Sequence, residues 1–286
     1  MSTALGKEIS ISFDDAPRGH SAYFSGEERT KKLIQALERA GVKRAAFYVN
    51  PARMDANGIK RVKAYGENGH LLGNHTFDHP ALDEVGPEKY VESILKAHKQ
   101  IKSLKGFKPW FRYTFLGRGK TKEIRDFVYK ALDKNEYHDA YITVDNFDWY
   151  MDDIFQKAVR SKKKIDFELL GKVYVEALFD SVAFYDDLAT KVLGRSPKHV
   201  ILLHENDLAA LYIEKFVAHL KKSGWKVISP EEAYSDPVSK RPDTLHNSDG
   251  RIAAIAAERG FLGVIRDGYQ NKESLDKLFK DRNIFR

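Results

Sequence analysis

Short apolar runs alternate along this chain with longer stretches of helical period, and seven of the short runs have the length and composition of buried strands. They lie at 9–13, 45–49, 70–73, 110–115, 140–144, 200–203 and 226–228. Between them, 28–40 places Leu33, Ile34 and Leu37 on one face and stops at Gly41, while 88–104 carries Tyr90, Ile94, Ile101 and Leu104 at helical spacing. Segments 121–132 and 207–222 have the same character, the second closing at Gly224. This alternation predicts a βα-repeating α/β fold: one sheet closed or partly closed into a barrel, with ligands gathered at the carboxyl ends of its strands.

Two stretches depart from the repeat. Residues 151–193 show helical patterning over 155–159 and again over 169–188, which is too much for one crossover and predicts two inserted helices before the sixth strand. Past Pro237 the chain turns polar, with a Lys-Arg-Pro-Asp linker at 240–243 and a short Ala-rich helix over 250–259. The expected organisation is a barrel domain over 1–236, with its helical insertion at about 151–193, and a C-terminal extension over 237–286 packed on the barrel or trailing from it.

Composition narrows the chemistry. A chain of 286 residues with 42% hydrophobic and 12% aromatic content can bury one full core. No apolar run reaches the roughly 18 residues a membrane-spanning helix needs, and the opening Met1-Ser-Thr-Ala-Leu-Gly lacks the charged-then-apolar order of a signal peptide. Zero cysteines exclude disulfides, thiolate catalysis and Cys-based zinc sites, so any metal must be held by His, Asp or Glu. The net charge of +7 would allow nucleic acid as a partner, but Lys and Arg are interleaved with Asp and Glu, and only Arg160-Ser-Lys-Lys-Lys164 is a compact basic run. A solvated face is the plainer reading, and no nucleic-acid partner is expected.

The polar residues at the strand ends carry the candidate chemistry. Strand one ends in Ser12-Phe13-Asp14-Asp15, which alone reads as an ordinary turn. After strand three, His75 and His79 stand four residues apart, a spacing that could turn both rings to one side of a helical turn around one ion, or equally serve as surface histidines. Strand four ends in Arg112-Tyr113-Thr114-Phe115, and a buried guanidinium there would need a carboxylate partner. Further on come Asp145, Asp148 and Trp149, and strand six ends at His204.

Taken in order, these five segments resemble the NodB-homology polysaccharide deacetylases, carbohydrate esterase family four. The family pattern is Thr/Ser-Phe-Asp-Asp, His-Ser/Thr-x-x-His, Arg-x-Pro-Tyr/Phe, an Asp-x-x-Asp-Trp-like segment and Leu-x-His. Here it reads as 12–15, 75–79, 112–115, 145–149 and 202–204, within a resemblance over about 8–232. The resemblance implies a distorted, TIM-like (β/α)7 barrel and hydrolytic removal of acetyl groups, N-acetyl before O-acetyl, from a polysaccharide or oligosaccharide. It implies that Asp15, His75 and His79 hold one divalent ion, zinc first, with cobalt or nickel as alternatives. Asp14 would then be the general base, held by Arg112, and His204 the general acid, charged by Asp148 or, as second choice, Asp145. Trp149, Phe115 and Tyr113 would contact substrate, a backbone N–H near Phe115 helping to hold the developing oxyanion. Thr114 stands where the family usually has proline, so the loop after strand four is expected to differ in shape.

The same resemblance implies an extracytoplasmic setting (secreted, periplasmic or at the cell wall). Three alternatives stay open: a C–N hydrolase acting on a small non-sugar amide, a carbohydrate-binding protein of the same fold without catalysis, and, from net charge, a polyanion-binding protein. Oligomeric state has no signature here.

Overall fold

The structure, a computed structural model, describes residues 6–245 and 249–286; residues 1–5, most of the stretch searched for an export signal, lie outside the described residues. Seven parallel strands form the sheet: β1 (Glu8–Ala16), β2 (Ala46–Val49), β3 (Leu71–Asn74), β4 (Phe107–Phe111), β5 (His138–Asp139), β6 (Lys198–His204) and β7 (Lys226–Val227). Their order is β5-β4-β3-β2-β1-β6, with β7 beside the start of β1. The helices are α1 (Gly26–Arg39), α2 (Ala56–Glu67), α3 (Leu82–Val85), α4 (Pro87–Ile101), α5 (Lys122–Lys134), α6 (Asp148–Arg160), α7 (Phe167–Leu193), α8 (Asp207–Lys222), α9 (Pro230–Tyr234), α10 (Gly250–Glu258) and α11 (Lys272–Asp281). This is the distorted (β/α)7 barrel.

The central strand shows how sequence sets the two faces of the sheet. Strand residues alternate sides, so Ile9, Ile11 and Phe13 fall on one face of β1 and Ser10, Ser12 and Asp14 on the other. Phe13 stacks on Phe47, which stacks on Tyr65 of α2, so the apolar face meets the outer helices. The small, polar face looks inward, where it leaves room for the large side chain of Arg112.

Three expectations are corrected. The fourth strand starts earlier and ends at Phe111, because Thr114–Leu116 form a 3-10 turn with Phe115 at φ +52°. The fifth is not a strand over 140–144: β5 is the two residues before it, and the predicted run crosses between neighbours. Ala140 N–H bonds to β4 at Phe111 O, whereas Val144 bridges Ile201 of β6. That crossing links the sheet's two ends. Helix α2 was not foreseen, because Gly58 and Gly66 break its apolar pattern; a Cβ on Gly66 would lie 1.9 Å from Lys105 O, so the helix packs there only as glycine. Helix α11 was likewise missed.

The 151–193 stretch contains α6 and α7, and α6 already starts at Asp148. After the linker, α10 packs on α7 and α11 on α6. Arg251 of α10 is buried and donates to Asp139 Oδ2 at 2.6 Å and to the carbonyls of Val238, Ser239 and Lys240. Removing Arg251 leaves Asp139 with Arg118 as its remaining hydrogen-bonded guanidinium and takes the buried donor from three carbonyls. Arg251→Met is therefore expected to lower unfolding free energy by about 3 kcal/mol, measured by urea denaturation; a loss under about 0.5 kcal/mol, the range of an ordinary surface change, would contradict the role given to this pair.

Candidate active site

Asp15, His75 and His79 come together, their ligand atoms all within 4.8 Å of one another. They do so through loops, not through the helical turn that the spacing suggested. Asp15 at the end of β1 has φ +70°, and Thr76 and His79 have φ +65° and +59°. Left-handed backbone at non-glycine residues costs free energy and gathers at functional sites. Here it re-aims two rings that a regular helix would hold differently. Asn74 holds the loop by accepting from Thr76 N–H at 2.9 Å, and Thr76 Oγ1 accepts from His79 N–H at 3.0 Å.

The atoms facing the centre are set by second contacts. His75 Nδ1 lies 2.8 Å from the carbonyl oxygen of Arg112, which can only accept, so Nδ1 carries the proton and Nε2 presents a lone pair. His75 Nε2 and His79 Nε2 lie 3.8 and 3.4 Å from Asp15 Oδ1. Burial pulls both imidazoles down to about 4, which keeps them neutral at neutral pH. Burial opposes the Asp15 charge, but the field of His204, of the two histidines and of Arg53 outweighs it and holds the carboxyl well below its ordinary range. Asp15 Oδ1 is buried with no hydrogen-bond donor. An anionic oxygen without a donor, facing the His75 lone pair and the Nε2 of His79, fits a divalent cation.

Asp14 is buried beside this centre, its Oδ2 at 3.7 Å from His75 Nε2 and its Oδ1 accepting from Arg112 Nη1 at 2.8 Å. Burial pushes its carboxyl up, opposed by the Arg112 charge. Arg112, itself buried, also donates to Ala140 O, Ser12 Oγ and Tyr234 Oη at 2.5, 3.2 and 3.4 Å and lies 4.2 Å over the Tyr48 ring. On the neighbouring strand β6, in register with Asp14, His204 Nδ1 is 2.7 Å from Asp148 Oδ1. Burial disfavours the imidazolium, but Asp148 outweighs it and raises His204 to about 8. Asp148 Oδ2 accepts from His204 N–H at 2.8 Å and Asn206 Nδ2 at 2.9 Å, which fixes the carboxylate. Asp145, the second choice for this partner, points elsewhere: its Oδ2 accepts from Gln270 Nε2 at 2.6 Å, and burial, with Asp249 nearby, raises it to about 7.

Asp14, Asp15, His75, His79, Asp145 and His204 line a cavity of about 440 Å³ together with Arg18, Phe115, Leu116, Phe147 and Trp149. Phe115 is largely exposed, edge-on to His79. Tyr113 does not line the cavity; it is buried with Tyr90 and Phe111 in the small core under α4 and α5, because one further residue along an extended backbone points to the opposite side. Thr114 explains the missing proline: its N–H donates to Tyr90 Oη at 3.1 Å and its hydroxyl to Pro80 O at 2.5 Å. Sequence reasoning missed Asp249 and Arg266, which also line the cavity. Nothing in their local sequence marks them.

The family model described as polysaccharide deacetylase matches residues 2–132. Over its first half the chain is similar to the NodB-type polysaccharide deacetylases. The chain is 29% identical over 143 residues to a peptidoglycan-N-acetylglucosamine deacetylase of Bacillus cereus, covering 50% of this chain and 46% of that protein. It is 23% identical over 201 residues to the uncharacterized protein YlxY of Bacillus subtilis, 70% of this chain and 51% of the other. The chain thus spans about half the length of these curated relatives. Its fold is shared with a family 4 carbohydrate esterase from Streptomyces lividans (TM-score 0.53, 20% identity, 80% of this chain and 97% of that one). It is shared equally with a family four pseudoenzyme from Bacillus anthracis (TM-score 0.54, 15% identity, 81% and 66%). His75→Ala removes one of the three converging side chains, and zinc titration against a chromophoric chelator is expected to show loss of a stoichiometric site. Unchanged stoichiometric binding would rule the triad out.

Proposed function

We propose that the protein is a metal-dependent deacetylase that hydrolyses N-acetyl groups, before O-acetyl, on an extracytoplasmic glycan. The observation that carries this reading is the pairing within one cavity of a buried base, Asp14, and a proton donor, His204, on neighbouring strands beside the three-ligand centre. A divalent ion held by Asp15, His75 and His79, zinc in our reading, would supply Lewis-acid polarisation of the acetyl carbonyl and acidify water.

Asp14, with one oxygen held by Arg112, uses the other to take a proton from the attacking water as its oxygen bonds to the acetyl carbon. The C–N bond then breaks, and His204 gives its Nε2 proton to the departing nitrogen, so that acetate and a free amine leave. Asp148 keeps His204 charged for this step and fixes its ring. The proton on Asp14 returns to His204 through solvent and resets the pair. Phe147 and Trp149 supply an apolar wall for the sugar.

No helix among the described residues is long and apolar enough to cross a membrane. The fold is common to active and silent relatives, so the retained acid, base and donor triad is what favours catalysis here. Acetate release from N-acetylglucosamine oligomers, peptidoglycan fragments and acetylxylan, with a cyclic ureide as the non-sugar control, tests the reading; turnover of the ureide alone would replace the sugar with a small amide.

Two outcomes follow for variants. Asp14→Asn keeps the shape but not the basicity and is expected to lower kcat by about 10²- to 10⁴-fold, read from the same assay. His204 must be protonated to act, so activity is lost as pH rises through about 8. Asp148→Asn removes the group that raises this pKa, so the alkaline limb of the kcat profile is expected to move to lower pH; an unmoved limb would remove Asp148 from this role.

A further inference from the structure

The segment after the barrel enters the active-site cavity, and the family resemblance, which ends near residue 232, gives no account of it. Its path is fixed at several points. Gly250, at φ +82°, passes so close to Ile142 that a Cβ would lie 2.9 Å from the Ile142 carbonyl oxygen, and Arg251 N–H donates to that same oxygen at 2.7 Å. Further along, Ser181 Oγ donates to Asp267 at 2.6 Å and the Tyr185 hydroxyl to Gln270 Oε1 at 2.6 Å.

These anchors determine what faces the cavity. Gln270 Oε1 accepts from Tyr185 Oη and, at 3.0 Å, from Asp267 N–H, so its Nε2 is the end that donates to Asp145. The other Asp145 oxygen accepts from Asn146 N–H at 2.9 Å. Beside it, Asp249 Oδ1 accepts from Arg266 Nε at 2.6 Å, and both residues line the cavity with Asp145 and Trp149. Arg266 is half-exposed, whereas Asp249 is buried.

A guanidinium paired with a carboxylate sets donors and acceptors side by side in a fixed plane. Their charges cancel, so the pair suits a neutral polyol and not an anion. The vicinal hydroxyls of a pyranose, each donor and acceptor at once, have that complementary pattern, and an apolar side chain in the same wall suits the ring's C–H face.

We propose that residues 249–270 form a sugar-binding subsite of this active site, in which Asp249 and Arg266 hydrogen-bond vicinal hydroxyls of one pyranose unit and Asp145, held by Gln270, contacts a third. The identity of the ligand rests on the deacetylase reading above. The C-terminal segment is then a specificity-determining part of the enzyme: it binds the glycan and leaves the acid, base and ion centre to the barrel.

Binding is separated from turnover in the Asp14→Asn protein. Calorimetric titration with N-acetylglucosamine tetramer is expected to give a Kd about tenfold or more weaker in Asp14→Asn/Arg266→Gln than in Asp14→Asn alone, as the loss of a charge-assisted hydrogen bond requires. Arg266 is half-exposed, so this change spares the core; Gln270→Glu, which turns a carboxylate toward Asp145, is expected to weaken binding as well. A change below about twofold (~0.4 kcal/mol) in both variants, or no tetramer binding to Asp14→Asn, overturns the subsite. If the wild type releases acetate while Arg266→Gln keeps its kcat/KM, the subsite fails and the deacetylase reading stands. If the wild type releases none from any glycan yet tetramer binding still depends on Arg266, the deacetylase reading fails and the subsite stands.

Discussion

The site depends on one buried cation. Arg112 sits inside the barrel with about 1% of its surface exposed, where an unpaired guanidinium would be untenable. Its Nη1 meets Asp14, its other nitrogens meet Ala140 O, Ser12 and Tyr234, and its own carbonyl oxygen fixes the tautomer of His75. One residue therefore orients Asp14 and His75 together. Ser12 of β1 is small and polar where this side chain lies against it. Desolvating Asp14 next to Arg112 also explains how two adjacent aspartates take different roles: Asp14 is paired to a cation, while Asp15 keeps an oxygen with no donor, open toward the imidazoles.

Much of this was legible in the chain. Strand-end polar residues have few reasons to be there, and in a parallel barrel all strand ends meet at one rim. Reading Asp14, Asp15, His75, His79, Arg112 and His204 off the ends of apolar runs therefore placed them in one region before any coordinates. The errors have local causes. Tyr113 was assigned to substrate by its neighbourhood in sequence, but alternation turns it to the far side of the strand from the cavity. The His75–His79 spacing suggested a helical turn, and left-handed residues at Thr76 and His79 produce the convergence instead.

What could not be read were contacts of high sequence separation. Gln270 meets Asp145 across 125 positions, and Arg266 meets Asp249 across the interior of a segment that reads as polar linker and short helix. Nothing in the local pattern of 237–286 distinguishes a tail from a cavity wall. Likewise the segment 207–222 is the outer helix its pattern predicts, but the pattern did not show that the buried Glu205 and Asp207 at its head anchor the loop after β1: Glu205 accepts from Arg61, Tyr65 and the N–H of Arg18, and Asp207 from Arg29 and Ser21. That network ties the loop after β1 to the loop after β6, beside the strand pairing that sets Asp14 opposite His204.

The most direct test of the account is acetate release from N-acetylglucosamine oligomers by protein stripped with a chelator and then resupplied with zinc in measured steps. The account predicts no release from the stripped protein and a linear return that saturates at one zinc per chain. Full activity in the stripped protein, or no return at saturating zinc with the site occupied, would contradict it.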